Sequence, residues 1–199
     1  MMRLENYKLA FIAVGLVGVL LFASPTLSQV FTVPGGEKFS ELYLLGPEHM
    51  ASDIPFSVKS GVNYPVYLGV GNHMAASMYY VCYVKLRNQT DPLPNATTGT
   101  PSSLTLLFEY RAFVQDEKTW EAPLNFSVSN ISVANNESLL ESITINNVKF
   151  DVAKTAQYDQ ESNGYYYQLF IELWAFTPES TIQYHSRYVS FWFNVTSTL

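Results

Sequence analysis

From Glu37 onward the apolar residues come in short runs of alternating parity, and no helix-length window shows a 3.6-residue period. The runs are rich in Val, Ile, Tyr, Phe and Thr and are punctuated by Gly, Pro and Asn, which predicts strands. Nine are expected, at 41–46, 64–70, 78–87, 104–113, 123–128, 141–145, 148–152, 164–176 and 187–195. Nine short strands suggest a mostly β chain folded as an antiparallel two-sheet β-sandwich.

Alternation also assigns faces. In MYYVCYVKLR (78–87), Lys85 and Arg87 share a face with Tyr79, Val81 and Tyr83, so Tyr80, Cys82, Val84 and Leu86 form the inward set and the two cations face water. In ESITI-NN-VKFDV the Asn146-Asn147 pair tolerates positive φ, which predicts a two-residue hairpin turn. An outward Asn125 sends Phe126 and Val128 inward, and an outward Asn194 leaves Val189, Phe191, Phe193 and Val195 inside. GYYYQLFIELWAF (164–176) has one wholly apolar row and a second row of Tyr166, Gln168, Phe170, Glu172, Trp174 and Phe176. Apolar character on both faces is the mark of a covered, central strand. A carboxylate there needs a donor, and Arg111 or Arg187 is the expected partner of Glu172.

The N-terminal pattern is different. After Arg3, Glu5 and Lys8, the run Leu9–Phe31 carries no charge. Its 23 residues fit the ~20 needed for one membrane span, while Ser24, Pro25, Thr26, Ser28 and Gln29 weaken its far end in the manner of a signal-peptide exit. Residues 9–31 are therefore expected to be one N-terminal hydrophobic helix, either an uncleaved signal anchor or a cleaved signal peptide. Residues 1–8 would stay in the cytoplasm, 32–36 would be a linker around Pro34-Gly35-Gly36, and 37–199 would form the exported domain.

Composition sharpens this. The chain is 48% hydrophobic and only 14% charged, so it packs a core. A net charge of −6 without a Lys/Arg run argues against nucleic acid. The single cysteine, Cys82, permits no internal disulfide and reads as a buried thiol. Six of thirteen asparagines, Asn88, Asn95, Asn125, Asn130, Asn136 and Asn194, open Asn-x-Ser/Thr triplets where chance predicts about two, and all follow the apolar run. They predict an N-glycosylated, outward-facing surface. RNQTDPLPNATTGTPSS (87–103) holds two of them and is expected to be an extended, solvated loop.

Catalytic chemistry is sparse. His49, His73 and His185 have no metal-ligand spacing, and there is no nucleophile elbow or phosphate-cradling loop. No catalytic residue, metal or cofactor is assigned. The candidate binding face is Tyr166, Gln168, Glu172, Trp174, Tyr188 and Trp192, which mixes aromatic faces with an amide and a carboxylate.

The blocks FSELYLLGPEHMASDIPFSVKSGVNYPVYLGVGNHM, VKLRNQTDPLP, PSSLTLLFEYRAFV, TWEAPLNFS and NGYYYQLFIELWAF resemble, in order, the archaeal membrane-protein family known as domain of unknown function 1616, over roughly Gly36 to Thr196. The resemblance implies an archaeal, membrane-attached protein whose β-domain faces outward, and it implies no activity. Similar members often carry several membrane helices before this domain, whereas one apolar run stands here. The pattern PFSVxxGxxYxVYLGVxN also resembles immunoglobulin-like adhesion modules. The expected function is a membrane-anchored, N-glycosylated binding or structural module of a cell surface, with a surface protein, a glycan or a second copy as partner. Two rivals stand beside it: a filament subunit adding QVFTV as a strand to a neighbour, and a carbohydrate-binding sensor or hydrolase.

Overall fold

The computed structural model describes residues 7–8, 11–19, 37–177 and 181–196. They fall into two units, 1–38 and 39–199. In the first, residues 11–19 are helical, and Phe11, Ile12, Val14, Leu16, Val17 and Val19 are all exposed. Among the described residues no helix is long and apolar enough to cross a membrane. Most of the remainder of the expected 9–31 segment, and the 32–36 linker, lie outside the described residues.

The described residues of the second unit hold ten strands: β1 (Phe39–Leu45), β2 (Ser57–Lys59), β3 (Tyr64–His73), β4 (Met78–Arg87), β5 (Leu106–Val114), β6 (Lys118–Ala134), β7 (Glu137–Ile145), β8 (Val148–Asp159), β9 (Gly164–Phe176) and β10 (Ile182–Thr196). β1, β3, β6, β7 and β8 pair in that order as one antiparallel half. β5, β4, β9 and β10 form the other, with β2 added in parallel to the end of β10. The expectation of two separate sheets needs correction. Tyr158↔Tyr165 and Asp159↔Gly164 link β8 to β9, so the ladders run continuously and one sheet curls until its halves face each other. The link exists because β8 reaches Asp159, well past the expected end at 152, and turns directly into β9.

The core lies between the halves and follows the alternation. Val66, Leu68, Val70, Leu124, Phe126, Val128, Ile143 and Ile145 from one half meet Tyr80, Cys82, Val84, Tyr167, Leu169, Ile171, Leu173 and Phe193 from the other, all at most 1% exposed. Phe126 joins them directly, 5.5 Å from both Phe191 and Phe193 by ring centroid. The Asn146-Asn147 turn forms as expected, with φ of 46° and 67° and Ile145 opposite Val148. The same device recurs at Asn135-Asn136, φ 51° and 62°, which joins β6 to β7 and lengthens both strands beyond their expected bounds. β2, three residues long, was not expected.

Candidate functional site

Pairing of β9 with β10 places Tyr188 opposite Glu172 and Trp192 opposite Gln168, so the six residues of the expected binding face do share one outer surface. That surface has a closed middle and an open end. In the middle, Glu172 is wholly buried, and its Oε2 accepts from Lys85 Nζ at 3.0 Å and Trp174 Nε1 at 3.1 Å. Its Oε1 accepts the Ser102 backbone N–H at 2.6 Å. Lys85 Nζ also donates to the Ser102 carbonyl at 2.6 Å. The expected Arg partners of Glu172 are thus corrected to Lys85, which lies diagonally across the β4–β9 ladder where Tyr83 faces Glu172. Arg111 instead pairs with Glu109 on the surface.

Arg87 continues the ladder. Its Nη1 donates to Gln168 Oε1 at 3.1 Å, Gln168 Nε2 donates to Ser190 Oγ at 2.8 Å, and the guanidinium sits 5.2 Å from the Trp192 ring. Lys85 and Arg87 are 5% and 7% exposed, contrary to the expectation that they face water. The reason is the segment 88–105, which lies over them as a strap. Asn88 Oδ1 accepts the N–H groups of Thr90 and Asp91 and tightens its first turn. Asn88 Nδ2 and Gln89 Nε2 then donate to the carbonyls of Thr155 and Gln157 on β8, and Lys154 pairs with Asp91 at 2.7 Å. The strap therefore ties β4 to the opposite half. Burial lowers the pKa of Arg87, opposed by Asp91 and Tyr188. Burial alone would raise Asp91, but the bonds from Lys154 and Asn88 with the Lys154 and Arg87 charges hold it below its ordinary value. Burial and the Glu172 charge push Tyr184 up to about 12.

At the open end, Tyr166, Trp192 and Phe56 form the walls of a cleft of about 280 Å³ with Gln89, Asp159 and Ser162 among its lining residues. Phe56 and Tyr166 stand 5.8 Å apart by centroid, Phe56 is 53% exposed, and Trp192 is half-buried. The Tyr166 hydroxyl donates to the Ser162 carbonyl, and Asp159 Oδ1 accepts from the N–H groups of Glu161 and Ser162. The rim is thereby set by the β8–β9 turn. Phe56 was missed because its segment shows no strand pattern; its carbonyl accepts the Asn194 N–H at 2.7 Å, just before β2 joins β10.

The six glycosylation candidates separate. Asn95, Asn130 and Asn136 are exposed, while Asn125 is half-buried on β6. Asn88 Nδ2 is bound to Thr155, and the Asn194 amide lies against Gly164, where a Cβ would come within 2.5 Å of its Nδ2. Asn194 Oδ1 accepts the Tyr165 N–H at 3.0 Å. Cys82 is buried and its thiol is pushed up to about 12 by that burial, which leaves it protonated and inert. Among the described residues no group of three or more His, Cys, Asp or Glu side chains is placed to hold a metal ion.

The model of a family described as Domain of unknown function (DUF1616) matches residues 33–140, more than half of the chain's 199 residues. No curated protein matches the sequence. Among solved structures, the CARDB domain of a Pyrococcus furiosus protein in complex with di-metal ions is similar at TM-score 0.43 and 8% identity, covering 81% of this chain and 90% of that one. A beta-glucosidase from Listeria innocua in complex with glucose is similar at TM-score 0.42 and 12% identity, covering 80% of this chain. The match takes in only 16% of the beta-glucosidase. The soluble domain of PmoD from Methylocystis is similar at TM-score 0.33 and 8% identity, covering 81% and 94%.

Proposed function

The chain belongs to the family described as domain of unknown function 1616, and we propose that it is an archaeal cell-surface binding module: an exported, N-glycosylated β-domain held to the membrane by its N-terminal apolar segment. In this reading the two five-stranded halves, joined at one edge by the two-pair link between β8 and β9, act as the layers of an immunoglobulin-like sandwich, a reading supported by the apolar core packed between them. Export is supported by the exposed Asn95, Asn130 and Asn136 and by a helical stretch whose apolar side chains are unburied on every face.

The observation that carries the binding role is the aromatic cleft of Phe56, Tyr166 and Trp192. A volume of about 280 Å³ falls just below the range of small-ligand sites, which start at about 300 Å³, and so suits a ligand of about one ring. Flat apolar rings with an amide, a carboxylate and a hydroxyl beside them suit one saccharide ring, whose C–H face stacks while its hydroxyls bond at the rim. Glycan-array binding by the full-length protein tests this. Trp192→Ala should reduce binding at least tenfold in a chain that still unfolds cooperatively, with its midpoint lowered by the lost contact to Arg87, and binding unchanged by that replacement would sink the assignment. Intact mass of the native protein tests export: glycan mass on the chain is expected, and an unmodified chain from the native host refutes the glycosylated reading.

A further inference from the structure

β5 is an edge strand. It pairs with β4 and, among the described residues, with no other strand. Long free edges attract further strands, and proteins usually blunt them with Pro, Lys or a short length. β5 has nine residues and neither Pro nor Lys; its one bulge, at Leu107, lies near its start, and residues 108–114 run in unbroken register with β4. It is also held rigid from inside: the Tyr110 hydroxyl donates to the Pro123 carbonyl at 2.9 Å and accepts Asn146 Nδ2 at 2.7 Å. An edge already ordered in this way loses little freedom when a partner docks.

Its outer face has a charge pattern that fits its own copy. Glu109 and Arg111 flank Tyr110 and bond each other within one chain at 2.9 Å, with Arg111 exposed, so docking exchanges this pair for two between copies. Antiparallel pairing about a two-fold axis at Tyr110 sets Glu109 opposite Arg111 of a second copy, Arg111 opposite Glu109, and Phe108 opposite Ala112. Side chains directly opposite interact, and like charges there repel. An opposite-sign pair two residues apart is self-complementary under that axis, whereas a single lysine would repel its copy. Other edges offer less. β8 receives the strap side chains at Thr155 and Gln157. β2 has three residues, and β1 carries Glu41 with no cation inside the strand.

We infer that the protein forms a two-fold homodimer by antiparallel pairing of β5 with β5 of a second copy, centred on Tyr110. A single short ladder lies at the small end of interface sizes, so the association is weak and concentration-dependent. This does not depend on the binding cleft, which lies at the Tyr166 and Trp192 end of the other strands.

Sedimentation equilibrium of the full-length protein in density-matched micelles tests it. The wild type should dimerise. Glu109→Arg alone and Arg111→Glu alone, each placing like charges around the axis, should weaken the dimer at least about tenfold, and the double exchange should restore it. A wild type that stays monomeric to about 1 mM overturns the proposal, as does a dimer indifferent to either single reversal. Cysteine pairing fixes the register. Opposite residues lie about 4.5–5.5 Å apart by Cα, within disulfide reach, and diagonal ones about 7–8 Å. Under mild oxidation, mixed Glu109→Cys and Arg111→Cys chains should cross-link, and each variant alone should not. Efficient cross-linking of either variant alone would overturn the register. Both positions are surface charges, so circular dichroism of every variant should match the wild type.

Discussion

The outer faces of the two halves of this molecule obey different rules. On β6, β7 and β8, Ser127 lies opposite Thr144 and Thr144 opposite Lys149, none of them buried, while their neighbours Phe126, Ile145, Val128 and Ile143 are wholly buried. Water solvates that stretch, so Ser127 and Thr144 need no side-chain partner and the alternation reads cleanly, although Ser129 and Ser142 farther along bond each other at 2.8 Å. On β4, β9 and β10 the same parity holds, but the strap removes water from the outer row. Lys85, Arg87, Gln168 and Glu172 are then buried at 0–7% exposure and must satisfy one another. An outer-row polar residue such as Thr144 is thus left to water on one half, whereas one such as Gln168 is bound into a buried network on the other.

Breaking the network should give the largest effect. Removing one member of a buried ion pair typically costs about 3–5 kcal/mol, because the remaining charge is left uncompensated. Glu172→Gln should therefore lower the denaturant midpoint strongly, and Lys85→Met similarly. Ser127→Ala or Thr144→Ala on the solvated face should stay within about 0.5 kcal/mol of wild type. The double replacement Lys85→Met with Glu172→Leu should recover only part of the loss: it removes the uncompensated charge, but the Ser102 N–H and carbonyl and Trp174 Nε1 lose their partners. Equal losses on the two faces would show that the strap does not desolvate the ladder.

A smaller effect separates turn chemistry from packing. Asn146 has φ 46°, and its side chain accepts the Asn125 N–H and donates to both Tyr110 and Pro123. Asn146→Ala should cost about 1–2 kcal/mol for the left-handed backbone alone, with the lost hydrogen bonds adding to it. Asn146→Gly keeps the backbone and loses only the bonds, so it should be the milder change. If the two are equally damaging, measured by thermal unfolding, the backbone conformation is not what asparagine supplies there.

Legibility follows the same division. The Asn146-Asn147 turn was readable because flanking β-branched and aromatic runs framed it. Asn135-Asn136 is the same device, yet it reads first as a glycosylation triplet, and the runs beside it, SNISVA and ESLLE, are too polar to mark strands. Inward residues such as Tyr80, Cys82, Val84 and Leu86 were recoverable from parity, as was the shared face of Tyr166, Gln168, Glu172, Trp174, Tyr188 and Trp192. What covers a face is not a local property. Ser102 reaches Lys85 and Glu172 only because the strap turns back at Asn88, and nothing in the alternation of 78–87 records that turn. Phe56 was hidden for a related reason, since the cleft assembles from four distant segments.

The smallest predicted effect lies where the halves meet. Ser40 on β1 and Asn72 on β3 belong to the solvated half, Tyr80 on β4 and His185 on β10 to the covered one, and all four share one chain of hydrogen bonds. Counting protons fixes its sense. Tyr80 donates to Asn72 Oδ1 at 3.1 Å, so the Ser40 hydroxyl donates to the Tyr80 oxygen at 2.6 Å and accepts from His185 Nε2 at 3.0 Å. The neutral ring therefore carries its proton on Nε2, and acid must protonate Nδ1. Burial lowers the His185 pKa below its ordinary 6.5, and the Arg187 charge lowers it further. The unfolded chain then binds more protons than the folded one in this range. Stability from this group is complete above pH 6.5 and is lost as pH falls from 6.5 through the lowered folded value. His185→Gln retains a donor toward Ser40 without a titrating ring. The midpoint of wild-type unfolding should fall between pH 6.5 and about 5, before the carboxylates titrate, and the variant should lose most of that slope while staying near wild-type stability at pH 8. An unchanged slope in the variant would place the acid sensitivity in one half or the other, and not at their joint.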